Sequence, residues 1–302
     1  MSDSVLVFGS SCVDVVIRVD HLPRHEEDLN PDTQQFMLGG CACNVARILG
    51  RGGADLTFVT PVGLQGVYGP WVLAQLKDFT WAHPICLETE ANGCCYCLVE
   101  PDGERTFMSV HGAEYTFAPE WMEAYQNQQY ALGYVCGLEL EEATGQALAD
   151  WLKTAPVRTL MYAPGPRGLN VPPERTLQLL ALHPLLHLNR AETLQMAHCS
   201  DLTRAMETLS AKTRNAVITT LGADGAMLLE PGYAPRHIPG TPATCIVDTI
   251  GAGDAHAGAV LLGLSRRQSL PEAVVFANRV ASRIVAQAGA DLKETAILFP
   301  DA

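Results

Sequence analysis

Short apolar runs alternate with amphipathic stretches along nearly the whole chain. Val5-Leu6-Val7-Phe8 is apolar throughout and ends in Gly9, the pattern of a buried parallel strand. Residues 12–20 alternate and predict a half-exposed strand, whereas 21–33, with two prolines and four acidic residues, predict a loop. A helix is expected over 42–50, stopped by Gly52-Gly53, then a strand over 56–62 and a helix over 68–79. Two β-like runs, 94–100 and 105–110, flank the turn signal Pro101-Asp102-Gly103. Beyond Tyr115 strands and helices alternate: strands at 132–136, 159–162, 185–188 and 216–220, helices at 141–153, 172–182 and 191–197. That alternation implies βαβ crossovers and a mainly parallel sheet with helices on both faces. A small hairpin is expected from 227–230 and 234–238 around Pro231-Gly232, then helices over 254–264 and 270–288.

Composition narrows the class. The chain has 302 residues, enough for one large α/β domain. Twenty basic residues stand against 33 acidic ones, a net charge of −13 with no basic patch, which argues against nucleic acid as a partner. The same charge repels a nucleotide at long range, so any phosphate site must be built locally from backbone N–H groups. No leader pattern and no run long enough to span a bilayer is visible, so a cytoplasmic protein without a membrane partner is expected. The ten cysteines then read as reduced thiols. Cys94, Cys95 and Cys97 lack a second pair at metal-ligand spacing, and strand alternation puts neighbours on opposite faces. They read as buried small apolar side chains rather than a metal site.

The candidate chemistry lies in Asp248-Thr249-Ile250-Gly251-Ala252-Gly253-Asp254, just before the apolar run 255–264. Glycines admit a ligand oxygen close to the backbone, and a helix start offers free N–H groups to an anion. Asp254 in that first turn is either a helix cap or a base for a hydroxyl attacking a phosphate. Upstream, Gly39-Gly40-x-Ala42-x-Asn44-x-Ala46 precedes a short helix, with Gly53 and Gly63 following.

These two runs resemble the N-terminal and C-terminal signatures of the ribokinase-like (PfkB) carbohydrate kinase family, the second extending through Gly258-Ala259. The resemblance covers the chain from Val5 to about Gly289. It implies a three-layer α/β/α fold with a small β-sheet lid made from segments about 12–37 and 94–110, all within one domain over 1–302. It implies ATP-dependent phosphorylation of a hydroxymethyl group on a sugar or sugar-like acceptor. Asp254 would be the general base, and the N–H groups of Gly251, Ala252 and Gly253 would hold the transferred phosphoryl group. Asp14, Gly39, Gly40 and Asn44 would bind the acceptor. Asn189, Thr220, Gly222, Gly225 and Asn278 would line the ATP site. Glu192 would help hold Mg2+ through water, and Asp248 would sit at a monovalent-cation (K+) site with carbonyls near Ile250 and Gly289. A homodimer through the lid is also implied. Arg105 reads equally as a lid contact or a surface turn residue. His256, Cys41, Cys43 and Glu114 depart from the common pattern; His256 reads as a spacer packed below the site, or else as a titrating group close to Asp254. A nucleoside or pseudouridine kinase of the same superfamily is the second reading, and a non-catalytic sugar or nucleotide sensor the third.

Overall fold

The structure is a computed structural model that describes residues 3–101 and 104–299. Asp102 and Gly103 of the expected turn lie outside the described residues. Nine strands form the main sheet: β1 Val5–Phe8, β4 Leu56–Gln65, β5 Ala82–Ala91, β8 Tyr130–Cys136, β9 Val157–Ala163, β10 Leu185–Asn189, β11 Val217–Thr220, β12 Ala226–Leu229 and β13 Arg236–Ile238. Their order is β13-β12-β11-β10-β9-β8-β1-β4-β5, parallel from β11 to β5, with β12 and β13 antiparallel at one edge.

β1 shows why its run is apolar on both sides. Val5 and Val7 enter one core with helices α1 Cys41–Arg51, α8 Ala252–Ser265 and α9 Leu270–Ile284. Leu6 and Phe8 enter the opposite core with α4 Gly145–Leu152, α5 Pro173–Leu180 and α7 Leu202–Thr213. All four side chains are within 2% of complete burial, so each face of the strand has its own helical layer. The fold is therefore the expected three-layer mainly parallel α/β/α arrangement.

A separate four-stranded sheet, ordered β3-β2-β6-β7, is built from β2 Cys12–Arg18, β3 Thr33–Gly39, β6 Cys94–Val99 and β7 Arg105–Val110. Four chain crossings join it to the body. Two buried side chains brace them. Asn92 accepts from Gly63 N–H and donates to the Ser11 carbonyl, and Glu114 accepts from the N–H groups of Gly93 and Gly112. Glu114 thus holds the crossings, whereas its family counterpart is expected on the acceptor side.

Three elements differ from the sequence reading. β5 is an additional strand: it lies at the sheet edge, carries Pro84 and is half-exposed, so it lacks the apolar run of its neighbours. α7 is an additional helix, begun by Asp201 accepting from Arg204 N–H. The helix expected over 141–153 is two pieces, α3 Leu138–Glu141 and α4, with Glu142 in extended backbone between them.

α8 is apolar all round because it crosses α1 and α9 inside one core. Gly258 sets the distance of the α1 crossing: a Cβ there would stand 2.9 Å from the Val45 carbonyl and 3.0 Å from Ile48 Cβ. Gly258→Val is expected to destabilise the protein by about 1–3 kcal/mol, the usual range for overpacking. Urea unfolding checks this, and an unchanged midpoint would mean that the crossing is loose.

Candidate active site

Gly251 caps α8 in the left-handed region, at φ 70° and ψ 4°, and a Cβ there would collide with Ala290. Both constraints require glycine. The turn aims the first N–H groups of α8 outward, where a helix has no acceptors of its own. Gly253 faces open space. Ala252 N–H is partly used, donating to the Thr249 carbonyl at 3.3 Å, which leaves Gly251 and Gly253 as the stronger anion donors.

Asp254 lies in this first turn. Burial pushes its carboxyl up to about 6, against opposing contributions from Asn44, Cys41 and Arg47. Asn44 Nδ2 donates to Asp254 Oδ2 at 2.8 Å, and Arg47 in turn donates to Asn44 Oδ1 at 2.6 Å. Asn44 is itself buried, so it orients the carboxylate as well as bordering the acceptor side. Asp14, on β2, is pushed up to about 7, first by burial and then by Cys95, with Asp254 also contributing. The lid therefore brings the expected acceptor carboxylate and the expected base into one electrostatic neighbourhood. Gly39 lies directly against the Asp14 carboxylate, while Gly40 leaves room for the Ser10 carbonyl.

Glu139 is a residue that sequence reasoning missed. It is fully buried, its Oε1 accepts from Ser10 N–H at 2.8 Å, and its Oε2 has no protein partner. Burial raises its pKa. Like Asp254 it acts on the Cys41 thiol. A buried carboxylate oxygen without a donor calls for an explanation that sequence spacing does not supply.

On the opposite side, Asn189 and Glu192 form a reciprocal capping box on α6 Arg190–Ala197. Asn189 N–H and Nδ2 donate to the Glu192 carboxylate at 2.9 and 2.7 Å, and Glu192 N–H donates to Asn189 Oδ1 at 2.9 Å. Burial raises Glu192, which a nearby cation would offset. Thr220 and Gly222 stand at the end of β11 in the turn to β12, Gly222 facing open space. Gly225 instead packs on the backbone of residues 238–240. Asn278 is not free to meet an adenine directly: it is buried, its Nδ2 donating to the Ile238 and Pro239 carbonyls and its Oδ1 accepting from His256 Nε2 at 3.2 Å. The neutral His256 ring then accepts at Nδ1 from His187 Nε2 at 2.8 Å. Burial pushes His256 down to about 4 and His187 down as well. His256 is therefore a structural neutral imidazole, not a titrating neighbour of the base near neutral pH. The cavity of about 260 Å³ between α5 and α6 reaches Glu192, but neither Asp254 nor Asp14 lines it.

The lid is latched in this structure. Arg105 at the start of β7 pairs with Asp248 Oδ1 at 3.0 Å and donates to Thr249 Oγ1. Both Asp248 and Arg105 are largely shielded from water. Asp248 also accepts from Ile250 N–H at 2.8 Å and Gly289 N–H at 3.0 Å. The carboxylate expected beside a monovalent cation is thus engaged by a guanidinium and two N–H groups. Arg105 is the lid contact, not a surface turn residue.

The comparisons agree with this geometry. The model of the pfkB family carbohydrate kinases matches residues 2–296. The chain belongs to that family. It is 34% identical over 296 residues to an uncharacterised sugar kinase, YegV, of Escherichia coli (strain K12), covering 97% of this chain and 91% of that protein. It is 28% identical to ribokinase of Mus musculus, covering 95% and 90%. Among solved structures, ribokinase from Giardia lamblia superposes with a TM-score of 0.86 at 19% identity, over 98% of both chains. The chain is a phosphotransferase with an alcohol acceptor, a sugar or nucleoside kinase of the ribokinase superfamily.

Two outcomes follow for this kinase. Folded His256 sits below its unfolded value near 6.5. Between pH 6.5 and 4 the unfolded chain binds more protons there, so stability falls as pH falls through that window. The contribution is up to roughly 3 kcal/mol, and His256→Phe should flatten this part of the melting-temperature profile. An equally steep profile in the variant would place the loss elsewhere. Arg105→Met should release the lid, seen as faster amide exchange in 12–18 and 94–99 with the body strands unchanged.

Proposed function

We propose that this kinase transfers the γ-phosphoryl group of ATP to a hydroxymethyl group of a sugar or sugar-like acceptor, with Asp254 as general base. The observation that carries this reading is the desolvated, Asn44-oriented carboxylate in the first turn of α8, beside the N–H groups of Gly251 and Gly253. The acceptor lies between Asp14 and Asp254, and Glu139 Oε2 is a further candidate contact. Asp254 takes the hydroxyl proton as the acceptor oxygen bonds to the γ-phosphorus and the bond to the β-phosphate oxygen breaks, giving ADP. The Gly251 and Gly253 N–H groups meet the charge on the transferred group. Mg2+ neutralises the phosphates, and Glu192 would hold it through water. Asn189, Thr220 and Gly222 border the nucleotide. Gly225 and Asn278 act indirectly by fixing the 238–240 backbone. The known nucleotide-bound relatives in structure support this arrangement, among them Arabidopsis thaliana ribokinase complexed with ribose and ATP, TM-score 0.81 at 21% identity.

The second reading, a nucleoside acceptor, is favoured by one relative, aminoimidazole riboside kinase of Salmonella typhimurium, 28% identical over 301 residues. We place the protein in a reducing compartment such as the cytoplasm, which suits its ten free cysteines. No described helix is long and apolar enough to cross a membrane. A homodimer through the lid is supported by the edge strand β7, where Phe107, Met108 and Val110 are 55–59% exposed.

A screen of sugars and nucleosides for ADP release tests the reading, and a negative screen across both classes would overturn it. With the acceptor in hand, Asp254→Asn should lower kcat about 100-fold or more while retaining ATP. The acid limb of kcat/KM should rise through about 6 as Asp254 loses its proton, with Asp14 near 7 titrating in the same pocket. Asn44→Leu removes a donor that favours the charged carboxylate, so the limb should move to higher pH. A limb that stays in place would detach Asn44 from the base.

A further inference from the structure

β2 and β6 run parallel with Asp14 opposite Cys95. Cys95 and Cys97 are two apart on β6, so both thiols share the face that carries Asp14. Neighbour alternation separates Cys94 from this pair but not Cys95 from Cys97. The two sulfurs stand 3.8 Å apart. Among the described residues, Asp14, Cys95 and Cys97 form the one group of three metal-ligating side chains whose ligand atoms all lie within 4.8 Å of one another. We propose that Asp14, Cys95 and Cys97 form a binding site for a thiophilic divalent metal, Zn2+ in the first instance, at the acceptor end of the cleft.

The geometry suits that ion. Two thiolates bound to one tetrahedral Zn2+ at about 2.3 Å stand about 3.8 Å apart, so the sulfurs need not move. A carboxylate oxygen completes a three-residue set, which leaves a fourth position for water or a ligand. This is the composition of an open site rather than a closed structural one. Outer contacts are in place: Ser109 Oγ lies 3.4 Å from Cys95 Sγ, and Cys12 Sγ lies 3.8 Å from Asp14 Oδ1. Mg2+ is a hard ion that prefers oxygen donors, so the Mg2+ accompanying ATP does not compete for two sulfurs. Binding displaces the two thiol protons and occupies Asp14. If the proposed acceptor role of Asp14 holds, Zn2+ therefore excludes the acceptor, and a chelator restores turnover. Metal binding itself does not rest on that role.

The test uses the full chain, reduced and without substrate, so it is independent of the kinase reading. Calorimetric titration with Zn2+ should show one site per chain. Cys95→Ser, Cys97→Ser and Asp14→Asn should each weaken it by at least the ~10–100-fold that loss of even an outer-shell partner costs. Co2+ in place of Zn2+ should give thiolate-to-metal charge-transfer absorption in the parent protein, a readout that needs no variant to fold. No stoichiometric binding, no thiolate absorption, or binding that survives in folded Cys95→Ser and Cys97→Ser proteins would each overturn the site.

Discussion

The hydrogen bond from Asn44 to Asp254 joins the two ends of the chain's chemistry, and much of the fold serves to hold it. A carboxylate without water is unstable as an anion unless donors face it. Here the donor belongs to α1, 210 positions earlier, and Arg47 one turn further on fixes the amide. Arg47 is anchored by Asp291 from the far end of the chain. α1 and α8 must therefore stay in register to a fraction of an ångström. The close crossing at Gly258 provides that. The same buried surroundings that raise the Asp254 pKa bring it near the value a base needs at neutral pH.

The lid adds a second constraint. An ion pair shielded from water is weak as a source of stability, since desolvating both ions offsets most of their attraction. It is strong as a selector of geometry, because an Arg105 left without Asp248 would strand a charge. The pair crosses from an edge strand of the lid to the residue that starts the anion loop. The latch thereby fastens the lid to the segment that leads into Gly251 and α8. Asn92 and Glu114 fix the crossings between lid and body through hydrogen bonds to the backbone.

The layered fold was legible because its strands are uniformly apolar and its helix starts are marked by glycines and caps. β5 escaped because an edge strand with Pro84 needs no apolar run, and α7 because its polar face dominates its amphipathic pattern. In the candidate site, Asp254 was singled out by a local run and Asp14 by the family resemblance, and the structure places the two carboxylates in one electrostatic neighbourhood. Glu139, the Arg105 latch and the Asn278–His256–His187 chain were not, since each draws its meaning from a partner far off in sequence. Glu139 is an unremarkable acid in a short helix until burial leaves its Oε2 unpaired. Asp248 shows another limit: its motif does not carry Arg105, the partner it meets in this structure.

The charges around the cleft bear on the acceptor. Asp14, Asp254 and Glu139 are three carboxyls whose pKa values are all raised by burial. The buried cation near them, Arg47, is already engaged by Asn44 and Asp291. An acceptor bearing a carboxylate or phosphate would meet this set with no free counter-charge, a repulsion that costs several kcal/mol. On the proposed reading, a neutral polyol instead supplies hydroxyl donors to the acidic oxygens of the cleft, and its attacking hydroxyl would lose its proton to the carboxylate that Asn44 keeps aligned. On that reading, electrostatics thus favour an uncharged acceptor before shape is considered, and the proposed soft-cation site beside Asp14 draws on the same excess of carboxyl and thiol groups.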